Sequence, residues 1–504
     1  MRITGLASGL DTEQLVKDIM RAERLPLDKL TQKKQTLEWQ RDDYREMNTL
    51  LKDLDTLIFE GIDRQSEMLK KTVSSTDESA VTATANASAA TMTTQIDVTN
   101  LAKPATWISD SNENFSSGTA RTISLSVTNG DGTTNNNVTI DIAAADTLDD
   151  VISAINNKKE LGISVFHDTQ TDKVVITKNE TGAAAKITID DAATQSFFTE
   201  LGFTTVAGKE LGDSNGDGVI DGTDAGIKAA GEDAQFTING LSTSRSTNTF
   251  AINNITYTLK KESASSTISI LNDTDTAVDT IVKFIDKYNE TIEKINEKLT
   301  EEKYRDFKPL TAEQKEVMTE KEIELWEEKA KSGLLKGDSI LSSSLSQMRM
   351  DIYSSVQGTN TNANYDQLSE IGITTSSNYL DRGKLFIDET KLRDAITADP
   401  EAVYELFNSS GTTSESTGIA GRLRDSIENT IGKIEEKAGN TLKTNQQFTI
   451  GRNLESVDKQ IDSFEDRLIQ IEDRYWRQFT ALETAMQRAN SQGAYLMQQF
   501  GGGF

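Results

Sequence analysis

The sequence predicts an α+β multidomain protein: an elongated coiled-coil helical leg formed by both chain termini, with two β-rich head domains inserted between them. Three observations carry this. Apolar residues recur at heptad spacing near each end, the signature of paired helices. The stretch between, from Thr72 to about Leu271, is dominated by Thr, Ser, Ala and Val, a composition suited to strands. Only 36% of the 504 residues are hydrophobic, which favours several small cores over one large one.

The terminal helix is read from Asn453 to about Gln492. Its seam, Leu454, Val457, Ile461, Phe464, Leu468, Ile471 and Tyr475, alternates three and four apart. Two steps of four then shift the rhythm to Phe479, Leu482, Met486 and Ala489, a stutter that locally unwinds a supercoil. At about 1.5 Å per residue the stripe runs roughly 50 Å. That exceeds what one small domain needs, so a partner helix is required. Leu30, Leu37, Tyr44, Leu51 and Ile58, each seven residues after the last, supply one. The companion positions Lys34 and Arg41 are charged, which leaves this helix the less self-sufficient of the two. Ahead of it, Asp11 or Thr12 caps a short amphipathic helix bearing Leu15, Val16, Ile19 and Met20. Pro26 then interrupts the chain and starts or kinks the next helix, which runs to about Leu69. Residues 1–10, with two glycines, are expected to be mobile.

In the middle, Val81 to Ala85 and Thr94 to Val98 alternate as strands do. A hairpin is expected over Thr122 to Ile142 around Asn129-Gly130-Asp131-Gly132, with strands near Ile163 to Phe166, Val174 to Thr177 and Phe250 to Leu259. Thr147 with Asp150, and Thr276 with Asp279, each offer a helix-starting capping box after a strand. Two helices using a common cap explain this as well as an internal duplication does. Helical composition returns from Thr276 to about Tyr353, with an acidic, lysine-interleaved part around Pro309. A hairpin-like Leu380 to Ile387, short helices ending near Asn408 and a helix through Leu423, Ile427, Ile431 and Ile434 follow. The leg is assigned residues 1–71 and 276–504, the inner head 72–105 with 233–275, and the outer head 106–232.

A net charge of −27, from 80 acidic and 53 basic residues, argues against a nucleic-acid partner, because phosphates need a basic surface. No run of residues suits a membrane span or a cleavable signal, so the chain either stays inside or leaves by a route that reads an uncleaved terminus. Cysteine is absent and His167 is the single histidine, which disfavours a zinc site or a histidine-based triad. His167 is placed at a strand end beside Asp168 and read as a solvent-facing turn residue rather than a catalyst. Trp39, Tyr475 and Trp476 suit either the helical seam or a subunit contact. Gly501-Gly502-Gly503 lacks the lysine and setting of a phosphate loop and is read as a flexible end.

The sharpest local motif spans Asp213 to Asp224. Oxygen-bearing side chains fall at Asp213, Asn215, Asp217, Asp221 and Asp224, Gly218 occupies the sixth place, and Val219 offers its carbonyl at the seventh. This matches an EF-hand-type calcium loop, in which hard oxygens wrap one point. Asp224 stands where a bidentate Glu is usual, as in dockerin-like loops, and no clear helix precedes the motif, which implies modest affinity and a structural role. The competing reading is an Asn/Asp/Gly-rich surface turn without metal.

Two end segments carry a family resemblance. GLASGLDTEQLVKDIMRAERLPLDKL, Gly5 to Leu30, resembles the amino-terminal signature of the flagellar hook-associated protein 2 family, the filament-capping proteins. Ser369 to Asn408 resembles that family's carboxy-terminal domain in Gly372, Gly383, Leu385, Asp388, Leu392, Pro400 and Phe407. The unit near Asp146 is similar to the insert motif of flagellins and hook-associated proteins, while the calcium-like loop lies outside the family pattern. The resemblance implies a secreted, extracellular, non-enzymatic protein at the tip of the bacterial flagellar filament. It implies type III export, an export chaperone before secretion, and hook-filament junction proteins as neighbours. A homo-oligomeric ring would promote folding and polymerisation of flagellin. Two other readings stand beside it: a surface adhesin binding mucin or host glycans through the heads, and an enzyme using a carboxylate pair there. The second lacks any nucleophile motif or metal-histidine set.

Overall fold

Asp11 opens the first helix by accepting the Gln14 N–H at 2.9 Å, and the helix then continues unbroken for 46 residues, Thr12–Leu57. The break expected at Pro26 does not occur. Proline removes one hydrogen bond, to Ala22, but Ala22, Leu25 and Pro26 all lie on an exposed face, where water can satisfy the freed carbonyl. The helix passes into a π turn over Ile58–Ile62. This computed structural model describes residues 11–501 except 112, 117, 219, 221–223, 225–226, 359–364, 377–380 and 382. The expected mobility of residues 1–10 and of the glycine tail beyond Gly501 lies outside the described residues.

The chain divides into two units, Met1–Met68 with Thr274–Phe504, and Leu69–Asp273. The boundaries thus fall a few residues from those expected, because Lys71 already pairs with Asn272 in a strand ladder of the middle unit. In the helical unit the first helix gives Tyr44, Leu51, Leu54 and Ile58 to one continuous core. The helix Thr274–Thr300 gives Ile281, Phe284, Ile285 and Tyr288. Ser339–Tyr353 adds Leu341 and Met348, and Ile419–Ala438 adds Leu423, Ile427 and Ile434. A two-stranded ladder, Ile373–Thr375 with Leu385–Ile387, and the short helices Glu389–Ala398 and Pro400–Asn408 close one end, where Phe407 meets Phe284 edge-on at 6.1 Å. The loop of that hairpin falls largely outside the described residues. The acidic stretch forms Ala312–Glu316 and Glu320–Lys331, opened by capping boxes at Thr311 and Thr319. The second capping box expected, at Thr276, does not form. That helix already begins at Thr274, and the Thr276 carbonyl accepts the Thr280 hydroxyl.

The middle unit holds two separate cores. One lies between a five-stranded sheet, in order Lys71–Ser75, Ala264–Asn272, Met92–Asn100, Ala234–Ile238 and Leu241–Arg245, and a three-stranded sheet of Thr249–Ile252, Ile255–Leu259 and Val81–Ala85. The single strand expected over Phe250 to Leu259 is therefore a hairpin. Asn253 and Asn254 take φ of 52° and 65°, the left-handed pair that a tight two-residue turn needs and asparagine tolerates. The other core joins a four-stranded sheet, Ile227–Ala229, Pro104–Ile108, Lys173–Thr181 and Ile163–Asp168, to a three-stranded one, Thr134–Ile142, Arg121–Thr128 and Lys186–Ile189. The helices Leu148–Asn157 and Ala192–Glu200 cover it, the first opened by a complete Thr147/Asp150 capping box.

Leu51 is fully buried in the helical core. Leu51→Ala should therefore cost about 2–5 kcal/mol, read as a lowered denaturant midpoint of the helical unit with the β-rich unit's transition unmoved.

Candidate assembly surface

The terminal helix, Thr449–Phe500, is 52 residues long, about 78 Å at 1.5 Å per residue. Its direction is set by a tight turn after Ala438. Gly439 has φ 66° and a Cβ there would lie 2.5 Å from the Phe448 ring, so only glycine fits. Phe448, fully buried, precedes the helix. Arg45 of the first helix lies over that ring at 5.6 Å and donates to the carbonyls of Ala438 at 3.1 Å and Asn440 at 3.3 Å. The turn is thus fastened to the first helix by one guanidinium that stacks and donates at once.

From there the two helices run antiparallel. Lys34 pairs with Asp458 at 2.8 Å, and further along Tyr475 donates to Glu23 at 3.2 Å. Val16, Met20, Leu468 and Ile471 are buried together, with Leu27, Phe464, Tyr475, Trp476 and Phe479 packed around them. The charge at Lys34 therefore serves the pairing, and its ammonium is held above its ordinary range by the hydrogen bond to Asp458. Arg41 bonds its neighbour Asp42 instead.

Along the seam the residues fall into four groups. Tyr44, Leu51 and Ile58 are buried in the helical core, so their partner helices are internal and these three present nothing to another subunit. Leu37 packs partly against that core and Leu454 within it, while Val457 is also buried. Leu30 and Ile461 are half-buried, as are Phe464, Tyr475 and Phe479 beside the buried Leu468 and Ile471. Leu482 and Met486 are 45% and 37% exposed, and the helix goes on with Tyr495, Leu496 and Met497 at 65%, 51% and 80%. Apolar exposure thus concentrates in the last two dozen residues of the helix.

Two clusters that no spacing rule revealed hold the first helix at its other end. Arg424 donates to Asp55 and Asp63 at 2.9 and 2.8 Å and lies over Phe59 at 4.9 Å. Lys52 pairs with Glu435 at 3.0 Å, which also accepts from Asn440 and Lys443. These contacts join residues hundreds of positions apart, and charged residues are too common in this chain for the partners to be picked out beforehand.

The calcium-like loop belongs to the middle unit. Asp213 is fully buried, accepting the N–H groups of Gly216 and Gly218 at 2.7 and 2.9 Å. Asn215 accepts from Asp217 N at 2.8 Å, and Asp224 closes the loop on Ser214 N at 2.7 Å. Val219 and Asp221 lie outside the described residues. The Asp213 carboxylate is therefore wrapped by the backbone of its own loop. His167 lies next to the end of the strand Ile163–Asp168, the strand end expected for it, but it does not face solvent: its side chain is only 12% exposed and Nε2 is 3.1 Å from Asp172.

The family model for the flagellar hook-associated protein 2 C-terminus matches residues 231–491, and that for its N-terminus matches residues 8–105. A flagellar hook-associated protein 2 of Halalkalibacterium halodurans is 38% identical over 99% of this chain and 100% of its own length. The chain belongs to the flagellar hook-associated protein 2 family. A relative of the same name from Thermotoga maritima is 26% identical over 99% of this chain and 96% of its own. The flagellin hook IN motif matches residues 122–180, the segment carrying the Thr147 box. In fold, the chain resembles the D1-D2-D3 domains of the Escherichia coli flagellar cap protein, with TM-score 0.57 and 22% identity over 82% of this chain and 99% of that one. Family membership associates the chain with the flagellum, and nothing in these likenesses favours the adhesin reading. Among the described residues no helix is long and apolar enough to cross a membrane.

Burial raises the Glu435 carboxyl, but Lys52, Asn440 and Lys443 outweigh it and bring it down to about 2. Its folded value lies below the unfolded one, so the stability it contributes is present above pH of roughly 4.5 and is lost as pH falls toward 2. Lys52 is half exposed, which limits the effect to roughly 1 kcal/mol. Acid titration of stability by circular dichroism should show Glu435→Gln losing that part of the slope.

Proposed function

We propose that this protein caps the distal tip of the bacterial flagellar filament as a ring of identical copies, beneath which exported flagellin folds and joins the filament. The observation that carries it is the terminal helix, whose seam is filled by the first helix as far as Phe479 and whose apolar residues Leu482, Met486, Tyr495, Leu496 and Met497 beyond it are exposed, although Glu483 among them is buried. An exposed apolar stripe on a rigid helix suits capture by another helix, supplied by a neighbouring copy, by flagellin or by the hook-filament junction proteins. The negative charge keeps copies apart until that stripe is engaged. No bond is made or broken, so the protein acts as a scaffold. Export unfolded through the type III apparatus, with a chaperone shielding the stripe beforehand, fits a chain without disulfides. Extracellular placement follows from that route.

Electron microscopy of the purified protein, with and without flagellin, should show closed rings and rings seated on filament tips. Leu482→Glu with Met486→Glu should abolish both while leaving the melting temperature within about 2 °C, since surface changes move stability little. Rings that survive this pair would overturn the assignment of the stripe.

Calcium is the second part of the proposal. Asp213, Asn215, Asp217 and Asp224, with Asp221 and the Val219 carbonyl, form the donor set, and the buried Asp213 supports it. The ion would be structural, tying this loop of the outer head. Millimolar calcium should raise the melting temperature of the β-rich unit, and Asp213→Asn should remove the shift. Absence of both bound ion by mass spectrometry and thermal shift would end this assignment.

A further inference from the structure

We propose that Glu113, His167 and Asp172 form a second metal site, distinct from the oxygen-rich loop and selective for a borderline divalent ion of the zinc class. The three residues come from separate places in the outer core. Glu113 follows the strand Pro104–Ile108, His167 lies in Ile163–Asp168, and Asp172 sits in the turn to Lys173–Thr181. One donor atom from each lies within 4.8 Å of the other two. The arrangement is already held by backbone: Glu113 N donates to the Asp172 carbonyl at 3.0 Å, and the two strands pair His167 with Val174. A tetrahedral zinc ion with bonds near 2.0–2.1 Å sets its ligands roughly 3.4 Å apart. His167 Nε2 and Asp172 Oδ1, at 3.1 Å, are near that spacing, and the Glu113 carboxylate, whose Oε2 accepts the Phe115 N–H at 2.8 Å, brings the third donor within 4.8 Å of both.

Charge points the same way. Two carboxylates converge on the chain's single imidazole, which is 12% exposed, and among the described residues neither carboxylate is ion-paired with a lysine or arginine. The adjacent Lys173 is turned away, donating to the carbonyls of Ser109 and Asp110 at 2.9 Å each. A cation held between the three would neutralise what no lysine or arginine among the described residues does. One nitrogen and two oxygens with a fourth position for water suit zinc. Calcium, which takes six or more oxygens, fits poorly. The bound ion would pin the segment around Glu113 to the hairpin that carries His167 and Asp172, as a cross-link does in a chain without cysteine.

The test is a zinc titration of the full chain by calorimetry in the presence of millimolar calcium, with cobalt absorption as the spectroscopic readout. One equivalent per chain is expected, with a visible cobalt band of low symmetry. Glu113→Gln and His167→Gln should each weaken binding at least tenfold while leaving circular dichroism and melting of the metal-free protein unchanged. Absence of a one-equivalent phase would overturn the proposal. So would binding by Glu113→Gln as tight as that of the unaltered chain, which would place the ion on the general acidic surface. Should His167→Gln destabilise the unit, Glu113→Gln and Asp172→Asn decide the matter through the cobalt band, which a merely structural role would not move.

Discussion

The first helix is shared, and the rest of the helical unit depends on how. From Tyr44 to Ile58 it is buried in the core of several helices, whereas from Val16 to Leu27 its apolar partners lie in the terminal helix and one exposed ion pair, Arg21 with Glu313 at 3.1 Å, reaches elsewhere. One rod thus belongs to a stable body at one end and to a thin two-helix hairpin at the other. Stability is unevenly distributed as a result, since local opening is easiest where few apolar contacts hold an element. Arg45 stands at the changeover, bound to the turn that launches the terminal helix. The direction of the hairpin is therefore set from within the core.

Much of this was legible in the residues, for a reason visible in particular positions. Heptad spacing reports which face of a helix can be covered, and the faces read for both long helices are the ones that pack as far as Phe479. Spacing cannot report which helix does the covering. Tyr44, Leu51 and Ile58 continue the same repeat as Leu30 and Leu37, yet their partners lie in other helices, because the chain folds back several times between Thr274 and Ala438. Pro26 misled for a complementary reason: a proline breaks a buried helix, but on a solvated face the lost hydrogen bond is replaced by water.

In the β-rich unit, small errors followed from turns. Asn253-Asn254 has no glycine and reads as strand, although both residues adopt left-handed conformations. The strand end that holds His167 was legible, but its burial was not, because a strand end rich in Asp and Thr reads as solvated. Its neighbour Glu113, more than fifty residues earlier, gives no local sign of being nearby. The calcium reading of the Asp213 loop could be made from consecutive residues, whereas the nearness of Glu113, His167 and Asp172, drawn from three segments, shows only in the fold.

The β-rich unit begins and ends on adjacent strands. Lys71 lies opposite Asn272, and the ladder from Lys71 to Ser75 runs antiparallel to its partner. A body whose two tethers leave side by side makes one narrow demand on its host: a place where the chain can step out and return. Such a module can be enlarged, traded for another or dropped for a short reverse turn with the helical scaffold unaltered. Variation among relatives should therefore gather between these two strands, while the long helices hold their length.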